Sequence, residues 1–151
     1  MKLRTIAQAA LIMSSLLFTD IALAQGSMEE EILVLVNKHR KKQGLPAMEM
    51  HSAISKEAEQ HSRNMAVGHV GFGHSGFDER LRRLMKKIAG SNAGAENVAY
   101  GSRTAEEVVR MWLNSPGHRK NIQGNYNLTG IGVVRGKGEI FYTQIFIRKR
   151  E

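Results

Sequence analysis

The sequence predicts an α+β domain in which helices cover both faces of one sheet. Three observations carry this expectation. Segments up to Leu113 place apolar residues at helical spacing, the pattern changes to strand-like runs from Leu128, and the last run is apolar on both of its alternating faces. In Glu139 to Arg148, Phe141, Ile145 and Ile147 form one set and Ile140, Tyr142 and Phe146 the other. A strand buried on both sides is central, with helices above and below it.

Residues 1–24 read as an export leader rather than as part of the fold. Lys2 and Arg4 precede an apolar stretch from Ala9 to Phe18, and Ala22-Leu23-Ala24 offers the small residues a signal peptidase requires. The apolar stretch is too short for a membrane span. No cysteine follows the cleavage point, which excludes a lipoprotein anchor. The expected mature domain is 25–151, secreted and extracellular, or periplasmic in a Gram-negative cell.

Met28 to Lys42 reads as the first helix, with Glu29, Glu30 and Glu31 at the positive N-terminal end and basic residues at the other. Gly44 and Pro46 end it. Ser52 to Val67 is the second helix, its stripe formed by Ile54, Ala58, His61 and Met65. A glycine-rich loop from Gly68 to Gly76 carries His69 and His74. Phe77 to Ile88 is a third helix, with Phe77, Leu81, Leu84, Met85 and Ile88 facing the core and Arg80, Arg82, Arg83, Lys86 and Lys87 facing water. Gly90 to Gly94 reads as a loop and Glu96 to Tyr100 as a short ordered segment. Thr104 opens a fourth helix through Leu113, and Asn114-Ser115-Pro116-Gly117 breaks it before a turn bearing His118. Leu128 to Val134 and Glu139 to Arg148 are strands joined at Arg135-Gly136-Lys137-Gly138.

One domain of this length buries enough surface to fold without staples. It has to, because the chain has no cysteine, which also excludes a thiolate nucleophile and thiolate metal ligands. The net charge of +8 falls to about +7 once Lys2, Arg4 and Asp20 leave with the leader. Such a protein is drawn to phospholipid headgroups, wall polymers or acidic glycans. Nucleic acid is not an expected partner, since no nucleic-acid fold signature is present and aromatics do not interleave with the basic residues.

Four segments then become specific together: HSGF at His74, GAENVAYG from Gly94, VVRMWLNSPGHRKNI from Val108, and FYTQIF from Phe141. In this order they resemble the CAP superfamily of cysteine-rich secretory, antigen 5 and pathogenesis-related proteins, in its cysteine-free bacterial-type branch. The resemblance spans Ile32 to Ile147. It implies a three-layer α-β-α sandwich around a central antiparallel sheet, and a cleft shared by His74, Glu96, Glu107 and His118. In many animal and plant relatives the second histidine precedes the Tyr-Thr-Gln of the last strand. Here Phe141 holds that place, so the role passes to His118.

Two imidazoles suit zinc or a similar divalent ion, weakly held because water must complete the shell. Metal ligands would be His74 and His118. Glu96 and Glu107 would orient them, or one would act as base in a metal-assisted hydrolase of peptides or wall polymers. The resemblance favours a module binding lipid, sterol or an anionic surface component, with peripheral membrane contact. Structural alternatives stand beside each role. Glu107 pairs with Thr104 as a capping box; Glu96 and Asn97 tie a loop to backbone amides; His118 caps helix carbonyls; His74 is a surface residue of a glycine loop. His39, His51, His61 and His69 have no assigned role, and Ser75 and Ser115 lack a nucleophile-elbow context. Trp112 is expected in the core with its indole N–H on a backbone carbonyl.

Overall fold

A computed structural model describes residues 26–150; the leader reading falls on residues outside that range. The elements are α1 (Met28–Lys42), β1 (Glu49–Met50), α2 (Ser52–Val67), α3 (Phe77–Lys87), β2 (Ser91–Tyr100), α4 (Ala105–Asn114), α5 (Pro116–Ile122), β3 (Leu128–Gly136) and β4 (Glu139–Lys149). The sheet order is β1-β3-β4-β2, antiparallel except where the two residues of β1 run parallel to β3.

β4 is central, as its two apolar sets require. Ile145 and Ile147 pack with Ala53, Ile54 and Ala58 of α2 and with Leu84 of α3. Ile140, Tyr142 and Phe146 face the other way, onto Ile32 and Val36 of α1 and Val108, Val109 and Trp112 of α4. The result is the expected α-β-α sandwich. Trp112 is fully buried and its indole N–H donates to Val98 O at 3.3 Å.

α2 lies directly on β3 because that face of the strand has almost no side chains. A Cβ added at Gly130 would stand 2.2 Å from Ser55 N, and one at Gly132 would stand 2.2 Å from Glu59 N. Backbone therefore meets backbone. Ser62 of α2 reaches the sheet with its hydroxyl, 2.9 Å from Gly132 O and 2.8 Å from Thr143 Oγ1. It donates to the carbonyl and accepts from the threonine.

Three sequence expectations change. Ser91 to Gly94 belongs to β2 rather than to a loop. Pairing with β4 overrides the weak strand propensity of Ser, Asn and Gly, and Gly94 is small because Leu81 and Phe146 O crowd it. The turn bearing His118 is the helix α5, with Pro116 in its first turn. The β3–β4 turn is tighter than the four residues read from sequence. Lys137 and Gly138 alone form it, both at positive φ (53° and 78°), as two-residue hairpins require.

β2 is an edge strand, and side chains cap its open side. Trp112 takes Val98 O, and Asn121 Nδ2 takes Glu96 O at 3.2 Å, which removes the free edge as a template for pairing. Arg40 fixes the other end of α5. It is 1% exposed and donates to four carbonyls, those of Pro46, Ile122, Gly124 and Tyr126, at 2.7 to 3.1 Å. Asn127 of the sequon Asn127-Leu128-Thr129 is engaged by its own fold: its side chain bridges both backbone groups of Lys149.

Candidate functional site

Glu96 sits on β2 with its side chain 1% exposed. A buried carboxylate needs partners, and Arg80 supplies them in a fork: Nε to Oε2 at 3.0 Å, and Nη2 to both oxygens at 2.8 Å. Arg80 thus does not face water with the other basic residues of α3. It lies in the buried row with Leu84 and Ile88, four and eight residues on, because its guanidinium must meet Glu96.

The second partner of Glu96 is His74, whose Nδ1 is 3.0 Å from Oε1. A carboxylate accepts, so Nδ1 carries a proton, and in the neutral tautomer this selects, Nε2 holds the lone pair. The His74 side chain is 52% exposed, so that lone pair is available to a ligand. The loop around it is held on both flanks. His61 Nε2 donates to Gly73 O at 2.7 Å, and Arg80 Nη1 donates to Ser75 O at 2.7 Å. Residues 73, 74 and 75 are thus each fixed by a different side chain of one cluster. Their position is preorganised.

His61 is part of this cluster, although no motif around it points to a role. It is 1% exposed, its Nε2 is 3.9 Å from Glu96 Oε1, and its Nδ1 is buried without a partner. Burial chiefly, and then the nearby Arg80 charge, lower its proton affinity against the opposing pull of Gly73 O and Glu96. A histidine in an otherwise apolar helical stripe was the signal available in the sequence.

His118 approaches from the other side of β2. Asn97 Nδ2 donates to its carbonyl at 3.1 Å, and Asn121 Nδ2 donates to Asn97 Oδ1 at 2.8 Å, so two asparagines dock α5 on the strand that carries Glu96. Asn97 is expected from sequence to tie a loop to backbone amides; it lies instead in β2 and meets a carbonyl and a side-chain amide of α5. The His118 ring is half-buried and its Nδ1 is buried without a partner. Burial first, and then the proximity of His74, hold its pKa below the ordinary imidazole value. It is therefore a neutral, ligand-competent imidazole near neutral pH.

Glu107 forms the capping box with Thr104. Its Oε2 accepts from Arg103 N at 2.7 Å and Thr104 N at 3.3 Å, while Thr104 Oγ1 accepts from Glu107 N. The Arg103 amide, and then that of Thr104, lower its pKa. Among the described residues no hydrogen bond or ion pair joins it to His74, Glu96 or His118. It lines a groove of about 550 Å³ beside Tyr100. Nor do any three His, Cys, Asp or Glu side chains of the described residues converge as a metal-binding group. A metal held here would have the two imidazoles as its protein ligands, and the neutral, unpartnered His118 and the outward lone pair of His74 fit that demand.

The model of the cysteine-rich secretory protein family (CAP) matches residues 33–146. An uncharacterized protein of Bacillus subtilis (strain 168), YkwD, is 39% identical over 128 residues, covering 80% of this chain and 47% of that protein. An uncharacterized membrane protein of the same organism, YlbC, is 34% identical over 130 residues, covering 83% of this chain and 36% of that protein. The chain thus spans less than half the length of these relatives. Among solved structures, an extracellular protein containing an SCP domain from Bacillus anthracis superposes with TM-score 0.68 at 30% identity, over 81% of this chain and 40% of that one. An outer surface protein from Borrelia burgdorferi superposes with TM-score 0.67 at 20% identity, over 83% and 97% respectively, and shares the fold.

Proposed function

Because the chain belongs to the cysteine-rich secretory protein family, we propose that it is an exported binding module with a labile divalent-metal site at His74 and His118, and that it is not a hydrolase. The observation that carries this reading is the placement of the two candidate bases. Glu96 has both oxygens in the Arg80 fork and one also on His74, and Glu107, whose Oε2 closes the helix cap, makes no hydrogen bond to either imidazole. A general base must be free to take a proton from substrate or water. Glu96 is placed instead to orient an imidazole, which is the work of a group behind a metal ligand.

When bound, zinc or a similar ion would supply Lewis acidity and an anchoring point for an oxygen ligand. The chain's own residues do the rest. Glu96 fixes the His74 tautomer, His61 and Arg80 hold the loop, and Asn97 with Asn121 holds the backbone of His118. The ligand class is a lipid, sterol or anionic surface component. The net charge of +8 supports the anionic case, and the extracellular description of the Bacillus anthracis neighbour supports export.

Equilibrium dialysis of the full chain against zinc, with elemental analysis, tests this. Wild type should retain one ion weakly, and His74→Ala and His118→Ala should each lose it. Retention in both variants, or no uptake by wild type, rejects the site. A peptidase or wall-polymer turnover that vanishes in Glu107→Gln would restore the hydrolase reading.

A further inference from the structure

Five large apolar side chains stand exposed among the described residues, and three of them, Phe72, Tyr100 and Met111, line two adjoining grooves. One groove, about 430 Å³, runs between Val70, Phe72 and Phe141, with Lys137 and Glu139 at its rim. The other, about 550 Å³, is lined by Ser102, Glu107, Arg110, Met111 and Asn114. Tyr100 belongs to both and forms the ridge between them. Its ring stacks on Phe141 at 5.9 Å and 21° and meets Phe72 edge-on at 4.8 Å and 67°. The rings are thereby held in place while Tyr100 and Phe72 remain 51% and 53% exposed. Exposed aromatics concentrated in this way mark a recognition surface.

The charges lining the grooves select among occupants. Lys137 stands with Glu139 in one and Arg110 with Glu107 in the other, so formal charge cancels in each, in a chain that carries +8 overall. A polyanion gains nothing specific there. An acyl chain would leave Ser102, Asn114 and Glu139 without partners, at the cost of their desolvation. A neutral sugar chain uses both kinds of group: the C–H face of a pyranose lies on an aromatic ring, while its hydroxyls exchange hydrogen bonds with carboxylate, amide and guanidinium groups.

We infer that the two grooves meeting at Tyr100, neither of them lined by His74 or His118, form an extended subsite for a neutral oligosaccharide. Sugar rings lie against Phe72 and Tyr100 in the first groove. The chain crosses the Tyr100 ridge, and Arg110, Asn114 and the Glu107 oxygen not used by the helix cap bind the hydroxyls of the following units.

The test is a panel of neutral oligosaccharides against the full chain, followed by calorimetry with the best tetrasaccharide. An acidic tetrasaccharide and vesicles of phosphatidylcholine with phosphatidylglycerol serve as comparison arms. At least one neutral tetrasaccharide should bind with Kd at or below about 1 mM. Tyr100→Ala and Phe72→Ala should each weaken it by roughly 5- to 100-fold, the range of ring-stacking losses on alanine substitution. Tyr100→Phe should retain most of the affinity, whereas Val34→Ala should change nothing. Both aromatic residues are half-exposed, so these variants fold, and unchanged melting curves verify it. A neutral panel without a binder, binding that survives the Tyr100→Ala/Phe72→Ala double variant, or aromatic-dependent binding confined to the acidic sugar or the vesicles overturns the inference. Loss of zinc in His74→Ala bears on the metal reading alone, so the two fail separately.

Discussion

Arg80→Met removes the guanidinium from a carboxylate that has almost no access to water. The side chains are 7% and 1% exposed, so solvent screening gives little relief. Breaking a buried pair from one side costs about 3–5 kcal/mol, because the remaining charge stays desolvated. Ser75 O loses its donor as well, at a further ~1 kcal/mol that overlaps with the first figure. For a domain of this size, 1 kcal/mol corresponds to roughly 3–6 °C in melting temperature. Arg80→Met should therefore melt at least ~10 °C below wild type. The double variant Arg80→Met/Glu96→Leu removes the stranded charge and should recover most of the loss. Urea denaturation of the full chain by circular dichroism gives the free energies, a thermal scan gives the melting shift, and the double-mutant cycle gives the coupling. A loss below about 1 kcal/mol for Arg80→Met, or a double variant no more stable than the single, would show that Glu96 does not depend on this fork.

Stability should depend on pH through His61 and His118. Both bind protons less readily in the fold than at the ordinary value of 6.5. Below that pH the unfolded chain takes up protons that the native state refuses, so this contribution is complete above about pH 6.5 and is lost as pH falls toward the folded values. Urea midpoints should decline from about pH 7.5 to about pH 5, and a flat profile there would contradict the burial of the two rings. Gly130→Ala should destabilise by about 3 kcal/mol, the upper range for overpacking, since the new methyl meets Ser55 N and Ile54 C rather than a movable side chain; calorimetry reads it. Arg40→Lys keeps the charge but cannot serve four carbonyls in one plane. It should cost about 2 kcal/mol and speed hydrogen exchange in the α5 amides, and unchanged exchange would place α5 under other control.

How much of this was legible in the sequence depended on whether a residue's partner was local. Periodicity located α1 and α2 to the residue, and the double apolar pattern of Glu139 to Arg148 placed β4 at the centre, because both signals are local. Ser91 to Gly94 escaped because its extended form rests on pairing with residues far along the chain, such as Ile147 and Lys149. Glu107 was readable as a cap from Thr104 three residues earlier. Arg80 reads as solvent-facing because its partner lies sixteen residues away, and a helical wheel cannot show that an arginine has a buried acceptor. His61 sat in plain view in an apolar stripe, yet its acceptor is a carbonyl of the glycine loop, which has no side-chain signature. The motif resemblance supplied His74, Glu96 and His118. The side chains that hold them in place required coordinates.

The glycines of β3 have a mechanical consequence. Where side chains separate two layers, rotamers can shift and let one layer slide over the other; at Gly130 and Gly132 the strand offers none to shift. Helix and strand there behave as one stiff beam, and His61, carried on that beam, cannot yield when something presses on the loop in front of it. Any yielding on ligand entry falls to the loop itself, or to α5 across the strand.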